Sequence, residues 1–252
     1  MTTCVLTPAA GKRLIAKAMA IHPVIQRALT EGTLVIVAGT TNGYVAEEIL
    51  GSLGIAEGFD KRRFRRGVTL PPGYTPPAEI AQEPFPGDIV LVRGEWQRGR
   101  SIFDMVEELG EGDVVLKGAS ALHLASRSAG VFIGDTRGGT TAAMMQSVIG
   151  RRVRLIVPVG LEKRVSDDVF EIARTLIRPG VRGPRLFPLL GDVVSEIEAV
   201  SMLTGASARL LGAGGVCGAE GSVWLGISGS PEERAAAEAL LKAVAEEPPY
   251  RD

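Results

Sequence analysis

Hydrophobic positions along this chain alternate between helical spacing and short unbroken runs. Leu14, Ile15, Ala18, Met19, Val24, Ile25 and Leu29 follow a helical period interrupted at His22-Pro23, which predicts two helical segments or one kinked helix over residues 11–29. Residues 33–38 (TLVIVA) are wholly apolar and β-branched, the pattern of a strand covered on both faces in a parallel sheet. A Gly-Thr-Thr-Asn-Gly loop follows at 39–43, then a helical stretch over 44–53. Further strands are predicted at 88–93 (DIVLVR), 113–116 (DVVL), 130–133 (GVFI) and 153–157 (VRLIV), with helices over 101–109 and 141–149. Residues 58–86 carry a basic cluster (Lys61, Arg62, Arg63, Arg65, Arg66) and then Pro71, Pro72, Pro76, Pro77, Pro84 and Pro86, so they read as a loop or flap.

This alternation predicts an α/β fold, a three-layer αβα arrangement on a mainly parallel sheet whose ligands bind at the carboxyl ends of the strands. After Val165 the pattern changes. A helix over 167–176 runs into Arg178-Pro179-Gly180 and Gly183-Pro184, which mark a boundary. Beyond it come a strand at 185–189, a helix at 193–203, strands at 206–211 and 222–227, and a helix over 231–246 opened by Ser230-Pro231. In order this is βαββα, most of a ferredoxin-like unit. The expected division is an αβα Rossmann-like domain over 1–177 and a small C-terminal α+β ferredoxin-like subdomain over 185–252.

Composition narrows the function. With 252 residues, 45% of them hydrophobic, the chain can bury a large core. Lys plus Arg total 28 against 29 Asp plus Glu, so any anion must be held locally and not by an overall field. There is no helix-turn-helix segment or basic tail, and nucleic acid is not an expected partner. No apolar run reaches the ~18 residues of a membrane span, and residues 1–10 lack the features of a secretion signal. Two cysteines (Cys4, Cys217) and two histidines (His22, His123) make neither a disulfide framework nor a metal set, which fits a reducing, cytoplasmic setting with no metal. Neither histidine has a nucleophile motif beside it, and Cys217 reads as a turn residue. Glycine occurs 32 times, nearly twice the ~7% average, and much of the excess follows apolar runs, where backbone can approach a ligand.

Gly39, Thr40, Thr41, Asn42 and Gly43 place small residues and free N–H groups between a buried strand and a helix start, a cradle for phosphate or carboxylate. The loop is neither a Walker loop nor the GxGxxG fingerprint, so no cofactor is expected. Residues 134–141 repeat the device, with Arg137, Gly138, Gly139 and Thr140 as anion contacts. Lys117, with Gly118 and Ser120 beside it, and Lys163 also follow strands, where an ammonium can neutralise a phosphate or steady an oxyanion. Glu162 is the acid nearest these loops in sequence and a candidate acid, base or acyl acceptor.

The order of these loops resembles that of the ribose-5-phosphate isomerase, glucosamine-6-phosphate deaminase and CoA transferase superfamily, and most closely the ribose-5-phosphate isomerase type. That family's GTGST-like phosphate loop is similar to residues 39–43, its DGAD loop falls at 117–120, its KGGGGA loop at 137–142 and its Ser-Lys turn at 162–163. The resemblance covers most of the chain and implies the αβα scaffold, an anion site and the C-terminal ferredoxin-like piece. The chain departs from the family at the acids: Lys117 and Ser120 stand in the DGAD loop and Gln146 aligns with the general-base glutamate. An amide cannot abstract a proton. The expected function is therefore binding of a small phosphorylated or carboxylated metabolite, a sugar phosphate or CoA derivative, by an isomerase-like or CoA transferase-like enzyme with Lys117, Glu162 and Lys163 as catalytic candidates. The alternative is a non-catalytic sensing or assembly module on the same fold. Trp224, on a short strand among Gly and Ser, implies a sheet face that needs cover from the main domain or from another copy, and a homo-oligomer is expected.

Overall fold

The computed structural model describes residues 1–81 and 85–251. The chain opens with β1 (Thr2–Leu6), α1 (Pro8–Ile21), α2 (Pro23–Glu31), β2 (Thr33–Ile36) and α3 (Thr40–Ser52). A long connection carrying the single-turn α4 (Ala78–Ala81) leads to β3 (Ile89–Val92), β4 (Glu95–Trp96), α5 (Ile102–Met105), β5 (Val114–Leu116), β6 (Ala121–His123), β7 (Ser128–Ile133) and α6 (Gly139–Arg151). Then come β8 (Arg154–Pro158), a 3-10 turn at Leu161–Lys163, α7 (Val169–Leu176), β9 (Arg185–Leu189), β10 (Asp192–Val194), α8 (Glu196–Thr204), β11 (Ser207–Gly214), β12 (Ser222–Ser228) and α9 (Pro231–Ala245).

A six-stranded mixed sheet, ordered β10-β8-β5-β2-β3-β4, forms the centre. Its first four strands are parallel, and the apolar runs of β2, β5 and β8 are buried along nearly their whole length, as strands covered on both faces must be. The β3–β4 hairpin extends the sheet antiparallel to β2, turning through Arg93 and Gly94, both at positive φ, as a two-residue turn matched to strand twist requires. The sequence counted residues 88–93 among the strands of a mainly parallel sheet; β3 instead runs the other way, and this carries its amino end to the carboxyl end of β2.

Two three-stranded antiparallel sheets flank the centre, β1-β12-β11 and β6-β7-β9. The strand expected at 130–133 is thus outside the central sheet. It is reached from β6 through a short turn containing Arg127 at positive φ, and such a connection can only return the chain antiparallel. The strands of residues 185–252, expected to pair with one another as a ferredoxin-like βαββα unit, join three different sheets: β9 pairs with β7, β10 with β8, and β12 with β1, with β11 pairing only to β12. The physical reason lies in strands the sequence pattern hides, since β1 and β10 are short and mixed in polarity. Apolar side chains from both halves of the chain, such as Leu14 and Val35 with Val200, Leu225 and Leu241, meet in one core.

The kink at His22-Pro23 is a helix break: His22 is extended, ends α1, and its Nδ1 accepts the Val24 N–H at 3.3 Å as the cap of α2. Helix α1 packs against α3, α8 and α9. Being covered on several sides, it buries Lys12 along with its apolar residues. The flap also departs from a plain loop by carrying α4, and Pro84 lies outside the described residues. Among the described residues no helix is long and apolar enough to cross a membrane.

Candidate functional site

The carboxyl ends of β2, β5 and β8 open onto a cleft of about 610 Å³. Its lining contains Gly39, Thr40 and Thr41 after β2, Lys117, Gly118 and Ser120 after β5, Gly138, Gly139 and Thr140 at the start of α6, and Lys163 after β8. These loops, spread over more than a hundred positions in sequence, converge on one space as the strand-then-glycine pattern expects. Asn42, Arg137 and Glu162 are not in the lining.

Two helices begin at this cleft without help from side chains. Gly39 before α3 and Gly138 before α6 make no capping bond, and among the described residues the backbone donors of both first turns have no side-chain partner. Gly138 stands at φ 84 with its missing Cβ 2.6 Å from that of Ala142, a position only glycine fits. Gly39 is extended, and a Cβ there would meet nothing within 4 Å. The second loop is pinned from outside by Arg185, whose Nη2 donates to the carbonyls of Gly134 and Asp135 at 3.0 and 2.9 Å.

Lys117 is 9% exposed and lies on the cleft, and no hydrogen bond from its Nζ is present among the described residues. Burial, with Lys163 and Arg66 nearby, lowers its ammonium to about 8 against the pull of Asp88. Lys163 is lowered to about 8 by burial and by Lys12, against the attraction of Glu162 and Glu196. Unlike Lys117 it is held, donating to the Ala119 carbonyl at 2.8 Å. Ser120 Oγ accepts the Phe132 N–H at 3.2 Å and so ties the β5 loop to β7.

Asn42 works beneath the loop. Its Nδ2 donates to the carbonyls of Val37 and Leu116 at 2.7 and 3.0 Å, stitching the ends of β2 and β5. Arg137 is exposed, and its backbone N–H is drawn to Asp135 Oδ1 at 2.6 Å. Glu162 turns toward α1 and pairs with Lys12 at 2.7 Å. Burial pushes its carboxyl up, but Lys12 and Lys163 outweigh that and hold it below the ordinary value. Behind it Glu196, buried and accepting the Leu161 N–H at 2.8 Å, is raised to about 7 by burial and by Glu162. Gln146 is exposed on α6 and lies off the cleft.

Sequence reasoning missed Asp88. Fully buried, it accepts the N–H groups of Ala38 and Ile102, both at 2.9 Å, and sits 3.9 Å from Arg66. One carboxylate thereby fixes the loop after β2, the start of α5 and the flap arginine on the cleft. The signal was the acid at the head of an apolar run, but its meaning depended on the direction of β3. Phe103 and Phe132, both about half exposed, also line the cleft, with Arg66, Val68 and Thr69 from the flap. The remaining basic cluster serves structure in part: Lys61 pairs with Glu47 at 2.9 Å and sits 5.0 Å from the centre of the Tyr44 ring, and Arg62 pairs with Asp60 at 2.6 Å. His123 is bonded to Ser126 at 2.7 Å away from the cleft, and Cys217 is an exposed turn residue at φ 56. Comparison with protein-family models, curated proteins and solved structures finds no match for this chain.

Proposed function

We propose that this protein binds a small phosphorylated or carboxylated metabolite, of the sugar phosphate or CoA derivative class, at the carboxyl edge of its central sheet. The observation that carries the reading is the meeting of two helix starts without side-chain caps and the unpaired, buried Lys117 on one cleft. Helix N-termini favour negative charge, and a buried ammonium without a partner is costly until an anion supplies one. Phe103 and Phe132 give the organic part of such a ligand an apolar surface. Kinship with the ribose-5-phosphate isomerase and CoA transferase superfamily belongs to the same proposal, supported by the order of the loops and by their convergence.

A second reading, a non-catalytic sensor, has an observation of its own. Among the described residues lining the cleft Asp135 is the one carboxylate, and Glu162 is committed to Lys12. Sugar phosphates and acyl-CoAs screened for turnover beside thermal-shift binding separate the readings. Turnover of either class supports an enzyme, binding alone supports the sensor, and the absence of any binding contradicts both.

A further inference from the structure

Three cations line the cleft, and they differ in what already occupies them. Arg66 sits 3.9 Å from Asp88, with its guanidinium 4.1 Å from the centre of the Phe85 ring. Lys163 donates to a backbone carbonyl. Lys117 has neither a hydrogen bond nor an ion pair among the described residues, although it is one of the few buried charged side chains in the protein.

The backbone at Lys117 is fixed. It follows β5, which lies between β2 and β8, and its N–H donates to the Ile156 carbonyl at 3.1 Å. The side chain therefore starts from a rigid point on the sheet, in the same cleft as the starts of α3 and α6. A primary amine on a largely buried side chain that opens on a cleft, near Lys163 and Arg66 as well as Asp88 and free of hydrogen bonds among the described residues, has its lone pair available at mildly alkaline pH. Desolvation beside a second cationic group is a general way to activate a lysine toward a carbonyl carbon.

We propose that Lys117 Nζ is an imine-forming nucleophile and that the cleft takes phosphorylated aldehydes or ketones, the phosphate held at the helix starts and the carbonyl presented to the amine. This rests on the anion-site reading above and narrows its substrate class. In the step, the neutral amine adds to the carbonyl carbon, forming a C–N bond. The carbonyl oxygen then departs as water, carrying the two hydrogens of the amine, and a C=N bond remains. Nothing is oxidised or reduced. Burial lowers the ammonium to about 8, so a useful fraction of the amine is neutral in that pH range.

The test uses pyridoxal 5′-phosphate, a phosphorylated aldehyde, on the intact protein, followed by borohydride to fix any imine as a stable secondary amine and by peptide mapping. The expected result is a single label at Lys117, suppressed by inorganic phosphate and absent from Lys117→Arg, whose folding is checked by its melting curve. Label scattered over surface lysines, or carried by Lys163 with Lys117 unmodified, overturns the proposal. If phosphate raises the melting temperature yet Lys117 stays unlabelled, the imine step falls and the anion site stands. If phosphate neither raises the melting temperature nor protects Lys117, the anion-site reading falls first and takes the substrate class with it.

Discussion

Gly11 and Gly160 let two buried carboxylates sit where they do. A Cβ at Gly11 would lie 2.3 Å from Glu196 Oε1, and one at Gly160 would lie 1.9 Å from Glu162 Oε2. Gly11→Ala is expected to cost about 1–3 kcal/mol by overpacking, read from urea unfolding, and to cost less in a Glu196→Ala background because the clash is gone. Neither role could be read from sequence: Gly11 meets a carboxylate distant in the chain, and Gly160 meets that of Glu162 only because Glu162 folds back toward Lys12. The pH dependence follows from the same groups. Glu196 is raised to about 7 in the fold, so the folded state holds its proton where the unfolded chain has lost it. Its contribution is full below the ordinary carboxylate range and is lost as pH rises toward 7. Lys117 and Lys163, lowered to about 8, act in the opposite sense, and stability rises with pH from about 8 toward the ordinary lysine range. Glu196→Gln should flatten the fall below pH 7 and leave the alkaline rise in place; an unchanged profile in that variant contradicts the assignment to Glu196. Lys117 was legible because it follows an apolar run and precedes small residues, whereas the pairing of Glu162 with Lys12 was not, since Lys12 sits on a helix whose burial depends on α3, α8 and α9.

Helices α3 and α6 were legible as elements because each follows an apolar run and a loop of Gly and Thr, and both begin at the cleft. Strand direction was not legible. An apolar run such as that of β3 reads the same in a parallel or antiparallel partner, and so the place of Asp88 could not be inferred. Short strands with polar residues, β1 and β10, carry too little pattern to stand out, and without them neither the outer partner of β12 nor the edge strand beside β8 is visible. The structure also shows which glycine best tests the cradle. Gly139 stands at φ 56, where any side chain is strained, so its replacement confounds folding with binding. Gly39 is extended and faces open space. Gly39→Ala should therefore leave the melting temperature of the free protein nearly unchanged while reducing the rise that phosphate produces. An undiminished rise removes Gly39 from the anion's contacts.

Across the whole molecule the central sheet supplies the floor of the cleft, and the β6-β7-β9 sheet adds a wall to it. The β6-β7-β9 sheet brings Phe132 and the second glycine loop to the cleft. On the β1-β12-β11 sheet Trp224 is half exposed within its own chain, with Val5 and Leu211 also exposed on neighbouring strands. Self-association through that face is the corresponding proposal. Light scattering is expected to give a mass above 26.5 kDa that falls in Trp224→Ser, and a monomer mass at every concentration contradicts it. The account of function depends on whether an anion lies between the starts of α3 and α6. A crystal grown in sodium phosphate answers this most directly. The account predicts tetrahedral density in the cleft within hydrogen-bond reach of the first-turn N–H groups of both helices; phosphate found only on surface arginines, with the cleft free of it, would contradict it.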